Sequence, residues 1–512
     1  MSEAKRQKAA NRRQTAEICK QAIIHNIMTI KDLQPALVWN NFYGLTRCPR
    51  PSKHEEAVRE YILKWAKERN MDAVADETGN IIIRVPATPG YENRRGVIIQ
   101  GHMDMVPQKT SDTVHDFLKD PIETWIDGEW VKAKGTTLGA DNGIGVAMGM
   151  AVAEDKNLPH GPVEVLITYD EETGMSGAEA LKPGVLKGDI LLNLDSEDEM
   201  ELCIGCAGGI DAIAEFRYKK ENTPEGYVGY KLDVKGLSGG HSGMDISLYR
   251  ANANKVLAAA LIPVISKFGV KVVDICGGSL RNAIPFEGEA EIIVPKSKAT
   301  VVVRTVRKIF EELTLRYKES DPAMSATITR SVMPAPKYIQ TDVVLNALKA
   351  IMACPSNVIR MSQSMPGLTE TSINLAVVRC KNGKIVVSSL LRSAIDEAKR
   401  ELADRVRYIF EAFGASIKFV GGYCGWIPKP DTPMIAMLND IHTRMFGKPM
   451  NVLATHGGLE CAILGGKYPN WEMVSIGPTI MYPHSPDEKV NIASVANVWE
   501  FLKAILKEVP EK

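Results

Sequence analysis

Val97-Ile98-Ile99-Gln100-Gly101-His102-Met103-Asp104 decides the fold. Three β-branched residues in succession, without polar alternation, mark a strand buried on both faces. The run breaks at glycine, and an imidazole and a carboxylate follow two residues apart. Extended backbone turns such residues the same way. Both His102 and Asp104 therefore point into one crevice past the strand's end.

Other runs end alike. Asn80–Val85 reads as a neighbouring strand. Val163–Tyr169 ends at Asp170-Glu171-Glu172, and Ile190–Leu194 ends at Asp195. Met473–Ile476 is a late strand, followed by Pro483-His484-Ser485-Pro486-Asp487-Glu488. Helical spacing fills the intervals: Val58, Tyr61, Ile62 and Trp65 share one face, with Ser52 and Glu55 as a capping box. Gly139-Ala140-Asp141-Asn142-Gly143 opens an Ala- and Met-rich helix over about 144–155. Strands alternating with helices predict an α/β domain, a mixed and mainly parallel sheet sandwiched by helices. In such sheets ligands bind beyond the carboxyl ends of the strands. His102, Asp104, Glu171, Glu172 and Asp195 all follow such ends.

After about Gly208 the texture changes to half-exposed strands and long helices. We read this as an inserted α+β lid domain, with glycines at 208–209 and 421–422 as hinges. The expected division starts with an N-terminal disordered extension (1–31). A catalytic domain follows in two segments (32–206 and 422–512), with the insertion (207–421) between them.

The 512-residue chain balances 62 basic against 62 acidic residues. That predicts neither a general nucleic-acid binder nor an anionic-membrane binder. No apolar run approaches a bilayer span of about 20 residues. Nine dispersed cysteines suit a reduced, cytoplasmic protein, and Cys203-Ile-Gly-Cys206 reads as buried thiols.

Imidazoles with carboxylates and no thiolate suit borderline divalent ions, Zn²⁺ first, then Co²⁺ or Mn²⁺. A carboxylate bridging two ions would let them acidify a water and polarise an amide carbonyl. In the Glu171-Glu172 pair one carboxylate can bind metal while its neighbour takes the water's proton.

His102-Met103-Asp104, Gly139–Gly143, Glu171-Glu172, Asp195 and Pro483-His484-Ser485 together resemble the zinc aminoacylase/carboxypeptidase metallopeptidase family. Ser279–Pro285 and Ile476–Ile480 support the likeness, which runs from about Asp32 to the C-terminus. The resemblance implies a di-zinc peptidase with Asp141 bridging. His102 and Asp195 complete one ion site, Glu172 and His484 the other. Asp104 orients His102, and Glu171 is the general base. It further implies a strained or cis bond after Asp141 and a lid that closes over the substrate. His241 steadies the oxyanion, while Asn282 and Arg392 grip the substrate and His456 lies close to it. Unblocked dipeptides, Xaa-His and β-Ala-His among them, are the expected substrates, and a homodimer is compatible. An N-acyl amino acid deacylase, an aminotripeptidase and a non-catalytic amide-binding protein are the alternatives.

Overall fold

The computed structural model describes residues 29–331 and 333–512. The extension expected over 1–31 falls almost wholly outside them; its last residues enter a 3₁₀ turn at Ile30–Asp32. The chain divides into two compact units.

The first unit comprises the chain up to Ile204 together with Pro430–Leu453 and Ile463–Lys512. An eight-stranded sheet runs in the order Asp72–Ala75, Ile81–Val85, Val163–Thr168, Val97–His102, Ile190–Asn193, Glu472–Ser475, Glu201–Cys206, Asn451–Thr455. Its four central strands are mutually parallel. All six residues of Val97–His102 are buried. Each large aliphatic side chain so buried contributes about 1.5–3 kcal/mol. Where the strands end, the interior turns polar. Asn193 Nδ2 donates to Gln100 Oε1 (2.6 Å), and Gln100 Nε2 donates to Thr168 Oγ1 (3.2 Å). This ladder fixes the register of three central strands immediately before the ends that lead to His102, Asp170 and Asp195.

The helix Ala140–Glu154 is buried nearly all round, which explains its lack of a polar face. It lies so close to the sheet that a Cβ on Gly149 would stand 2.7 Å from Val165 Cγ1. Glycine is the residue that permits that approach.

Two local expectations need correction. Ser52 and Glu55 form no capping box: the helix is Glu56–Glu68, with Glu55 as N-cap and no side-chain cap bond. Ser52 Oγ instead donates to the buried Asp104 Oδ2 at 2.8 Å, and a buried carboxylate is the stronger acceptor. The polar stretch before Gly139 also carries strands, Thr124–Asp127 and Trp130–Ala133, in a four-stranded sheet with Ile480–Met481 and Lys489–Asn491.

The second unit is Gly205–Lys429 with Ala454–Ala462. The late stretch groups here because Gly457 O accepts from Ala207 N–H (3.0 Å) and His456 Nε2 meets Ser372 Oγ (2.7 Å). Its sheet orders Ser325–Arg330, Tyr227–Lys235, Gly288–Pro295, Lys271–Gly277, Thr369–Lys381, Lys384–Ser393, Gly208–Arg217 and Ser416–Tyr423 as antiparallel neighbours. Helices Ala253–Phe268, Ala299–Arg316, Thr341–Ala353 and Asp396–Ala412 supply the other half of its core through Leu257, Val306, Leu348 and Phe410. None of the eight cysteines among the described residues is in a disulfide, and Cys203 and Cys206 are buried.

Candidate metal centre

Asp141 stands at the middle of the first unit's polar cluster. Its Oδ1 lies 3.1 Å from His102 Nε2, and its Oδ2 lies 3.1 Å from His484 Nε2. Asp195 Oδ1 is 3.3 Å from the same His102 nitrogen, and Glu172 Oε2 is 2.9 Å from His484 Nε2. Two ligand sets result, His102–Asp141–Asp195 and Asp141–Glu172–His484, each with donor atoms within 4.8 Å of one another. Each oxygen of the one shared carboxylate faces a different imidazole.

The donor set fits divalent ions on three counts. It holds nitrogen and oxygen donors with no thiolate. Asp195 Oδ1 is buried without a well-formed hydrogen bond among the described residues. Negative charge is also in surplus. His484 is pushed up to about 11 by its bonds to Asp141 and Glu172, against the opposing effect of burial. Burial likewise opposes the charge on His102, yet Asp195, Asp104 and Asp141 outweigh it and raise the imidazole. Divalent ions would relieve this surplus and take the imidazole lone pairs.

Asp104 is not at the ligand position. Its Oδ1 lies 3.3 Å from His102 Nδ1, on the far side of the ring from Asp141. A carboxylate there keeps the Nδ1 proton and leaves Nε2 as the donor. It also accepts from the Glu171 N–H (3.0 Å), the Glu172 N–H (3.1 Å) and the Ser52 hydroxyl (2.8 Å). One buried side chain therefore orients the histidine and pins the turn that presents both glutamates. The Glu171 carboxylate lies within 4.8 Å of donor atoms on His102 and Glu172. The peptide bond between Asp141 and Asn142 is cis, and Asn142 Nδ2 donates to Leu194 O at 2.6 Å.

The remaining expected residues lie in the second unit, around Arg392. This guanidinium is only 6% exposed and forms no salt bridge among the described residues; Asp211, which feels its charge, is paired with Arg281 at 2.8 Å instead. Ser372, Arg392, Gly209 and Tyr423 stand abreast on four adjacent strands. Tyr423 OH lies 3.4 Å from Arg392 Nη1, and Ser242 Oγ lies 3.4 Å from its Nε. A Cβ on Gly209 would come within 2.8 Å of the Tyr423 ring, so glycine leaves the tyrosine its place. His456 joins this row through Ser372. Burial, and then Arg392, push its imidazole down to about 3. His241 is lowered by the same two causes in the same order. Its Nδ1 accepts from the Met244 N–H (3.3 Å), so the neutral ring carries its proton on Nε2 and is a donor there. Asn282 is exposed and touches the cluster through its backbone, its carbonyl accepting from Ser242 N–H at 2.8 Å.

Sequence pattern alone assigns no role to Ser372, Tyr423 or Arg50, and none at the metal cluster to Ser52. Serine, arginine and tyrosine occur at many positions, and only the fold sets these beside functional groups. Glu488 stands in the same run as His484, yet its partners are backbone amides, which leave no trace in side-chain spacing.

A dipeptidase and a dipeptidase structure are among the chain's relatives. It is 44% identical over 486 residues to the cytosol non-specific dipeptidase of Escherichia coli (strain K12), covering 94% of this chain and 99% of that protein. The crystal structure of aminoacylhistidine dipeptidase from Vibrio alginolyticus superposes with a TM-score of 0.87 at 43% identity, covering 95% of this chain and 99% of that one. The fold extends to aminopeptidase PepT from Bacillus cereus, at a TM-score of 0.55 and 16% identity over 93% and 99% of the two chains. With residues 98–508 matching the family profile, and the strand-end histidines and carboxylates inside that span, the chain belongs to Peptidase family M20/M25/M40.

Proposed function

We propose that this peptidase hydrolyses dipeptides with a free amino group, Xaa-His and β-Ala-His among them, at a pair of divalent ions, Zn²⁺ in the first place. The observation that carries the proposal is Asp141, whose two oxygens face two imidazoles in two complete ligand sets. His102, Asp141 and Asp195 would hold one ion, and Asp141, Glu172 and His484 the other. When bound, such a pair supplies an acidified water and a polarised carbonyl.

The chain's own groups do the rest. Asp104 fixes the His102 ring and the Glu171-Glu172 turn. Glu171 accepts the proton of the attacking water and returns it to the leaving nitrogen. His241, a donor at Nε2, is assigned to the oxyanion. Arg392 is assigned to the substrate's terminal carboxylate, since a buried guanidinium without an anionic partner is costly unless a ligand supplies one. Neutral His456 and Asn282 border that group. The relatives' names support the dipeptide class: one is a non-specific dipeptidase and the other an aminoacylhistidine dipeptidase. We also place the protein in the cytoplasm, as the name of the Escherichia coli relative does for that protein. Among the described residues no helix is long and apolar enough to cross a membrane.

The test assays Ala-His, β-Ala-His, a tripeptide and an N-acetyl amino acid with metal-stripped and zinc-reloaded protein. The expected result is zinc-dependent cleavage of the two dipeptides. Preference for the tripeptide or the acylated amino acid would replace the substrate assignment, and equal rates without metal would overturn the chemistry.

A further inference from the structure

Glu488 is 2% exposed, and each of its oxygens accepts two hydrogen bonds. Oε2 accepts from the backbone N–H groups of Leu138 (2.7 Å) and Gly139 (2.9 Å). Oε1 accepts from those of Ala140 (2.7 Å) and Asp141 (3.2 Å). The first residues of a helix have amides without intrahelical partners. Here one carboxylate accepts from four consecutive amides, Leu138 to Asp141, which lead into the helix and include its first two residues. Burial, with Asp141 nearby, pushes the Glu488 carboxyl up to about 7, and the N–H donors of Gly139, Asp141 and Leu138 pull against that rise.

The same loop is held from its other side. Arg50, also 2% exposed, donates to the carbonyls of Met103 and Asp104 (3.0 and 3.1 Å) and to that of Gly139. Gly139 is left-handed (φ 68°), and a Cβ on it would stand 2.4 Å from Arg50 Nη2. The loop therefore has one place to sit. Glu488 itself lies four residues beyond His484, on the segment that supplies the second imidazole.

We propose that Glu488 is a positioning residue that sets the Asp141 loop and ties it to the His484 segment, so that the two ion sites are built together. It touches neither substrate nor ion. The inference rests on the two ligand sets proposed above. Partners behind metal ligands typically govern metal affinity by about 10–100-fold. Because Asp141 serves both sets, a fault at Glu488 weakens both.

The experiment is zinc titration of metal-stripped protein against a competing chelator, with calorimetry and kinetics alongside, for wild type, Glu488→Gln, Glu488→Asp and Glu164→Gln. Gln turns an amide donor towards two of the four N–H groups and removes the charge. Asp keeps the charge on a side chain one methylene shorter. Glu164 is the control, a buried carboxylate that accepts from the N–H groups of Lys187 (2.6 Å) and Gly188 (2.9 Å).

Both zinc affinities are expected to fall about 10–100-fold in Glu488→Gln and less in Glu488→Asp. kcat at sub-saturating zinc should fall in parallel while KM stays unchanged, and Glu164→Gln should bind zinc normally. A purely structural role would lower the Tm of the metal-free protein and leave the zinc constants of the folded protein alone; that result overturns the proposal. So does an equal loss in Glu164→Gln. If Glu488→Gln does not fold, Glu488→Asp decides: wild-type affinity at both sites overturns the proposal. Failure of the wild type itself to bind two ions would strike the ligand assignment instead.

Discussion

The cluster around Asp141 and the cluster around Arg392 are built on opposite electrostatic plans. The first gathers Asp141, Glu172 and Asp195 about two imidazoles, and the surplus negative charge drives His484 up to about 11. The second buries a guanidinium with two histidines held neutral beside it. One is short of cations and the other is short of an anion. The difference teaches that a buried charge left without a protein partner marks a place for a ligand, and its sign names the class. Substitutions in the two clusters should then fail in different ways.

The largest effect is expected in the first cluster. Glu171→Gln keeps the shape of the side chain and removes its basicity. kcat should fall by about 10²–10⁴-fold, the usual worth of a positioned general base. Zinc content, read by elemental analysis, should stay at the wild-type value, because the ligand sets are intact. Turnover near the wild-type rate would remove Glu171 from the mechanism and break the contrast at its strongest point.

Arg392→Ala should act on KM. A charged hydrogen-bonded contact is worth roughly 1.5–3 kcal/mol, which corresponds to about 10–100-fold in KM with kcat nearly unchanged if the contact is made equally in ground and transition states. Zinc content should not move. The sharper form of the test uses a dipeptide amide, which lacks the terminal carboxylate. Wild type should lose affinity for it, and Arg392→Ala should discriminate little between acid and amide. Continued discrimination by the variant would place carboxylate recognition elsewhere.

The two clusters also differ in legibility. The parallel sheet can be read from uninterrupted runs such as Val97–Ile99, and it forces chemistry to one end of its strands. Metal ligation then narrows the residue types to a set that still includes Asp104 and Glu171, and the family resemblance picks His102, Asp141, Glu172, Asp195 and His484 from it as the ligands. The structure brings these five together. In the second unit the sheet is antiparallel, and the row around Arg392 crosses strands far apart in sequence: Gly209, Ser372, Arg392 and Tyr423. Nothing local links Ser372 to His456 or Gly209 to Tyr423. Contacts between distant segments are equally invisible in spacing. That is why Ser52 resembles a helix cap while bonding Asp104, and why the four amides on Glu488 leave no signature.

The smallest effect tests the second cluster's charge through stability. His456 is 5% exposed. Its pKa falls from the ordinary 6.5 to about 3 through burial and the nearby Arg392. The unfolded chain therefore takes up a proton below pH 6.5 that the folded chain refuses. The stabilisation is complete above that pH and is lost progressively as pH falls towards 3. At about 1.36 kcal/mol per unit the loss reaches about 2 kcal/mol by pH 5. His456→Gln can still hydrogen-bond Ser372 but cannot titrate. Its Tm should start lower at pH 7.5 and decline less steeply than the wild type's, the gap closing by a few degrees at pH 5. Metal-free protein is the material to use, so that ligand protonation in the other cluster does not enter through zinc release. Parallel Tm curves for the two proteins would mean that His456 titrates normally, and the guanidinium beside it would then be better solvated than its burial implies.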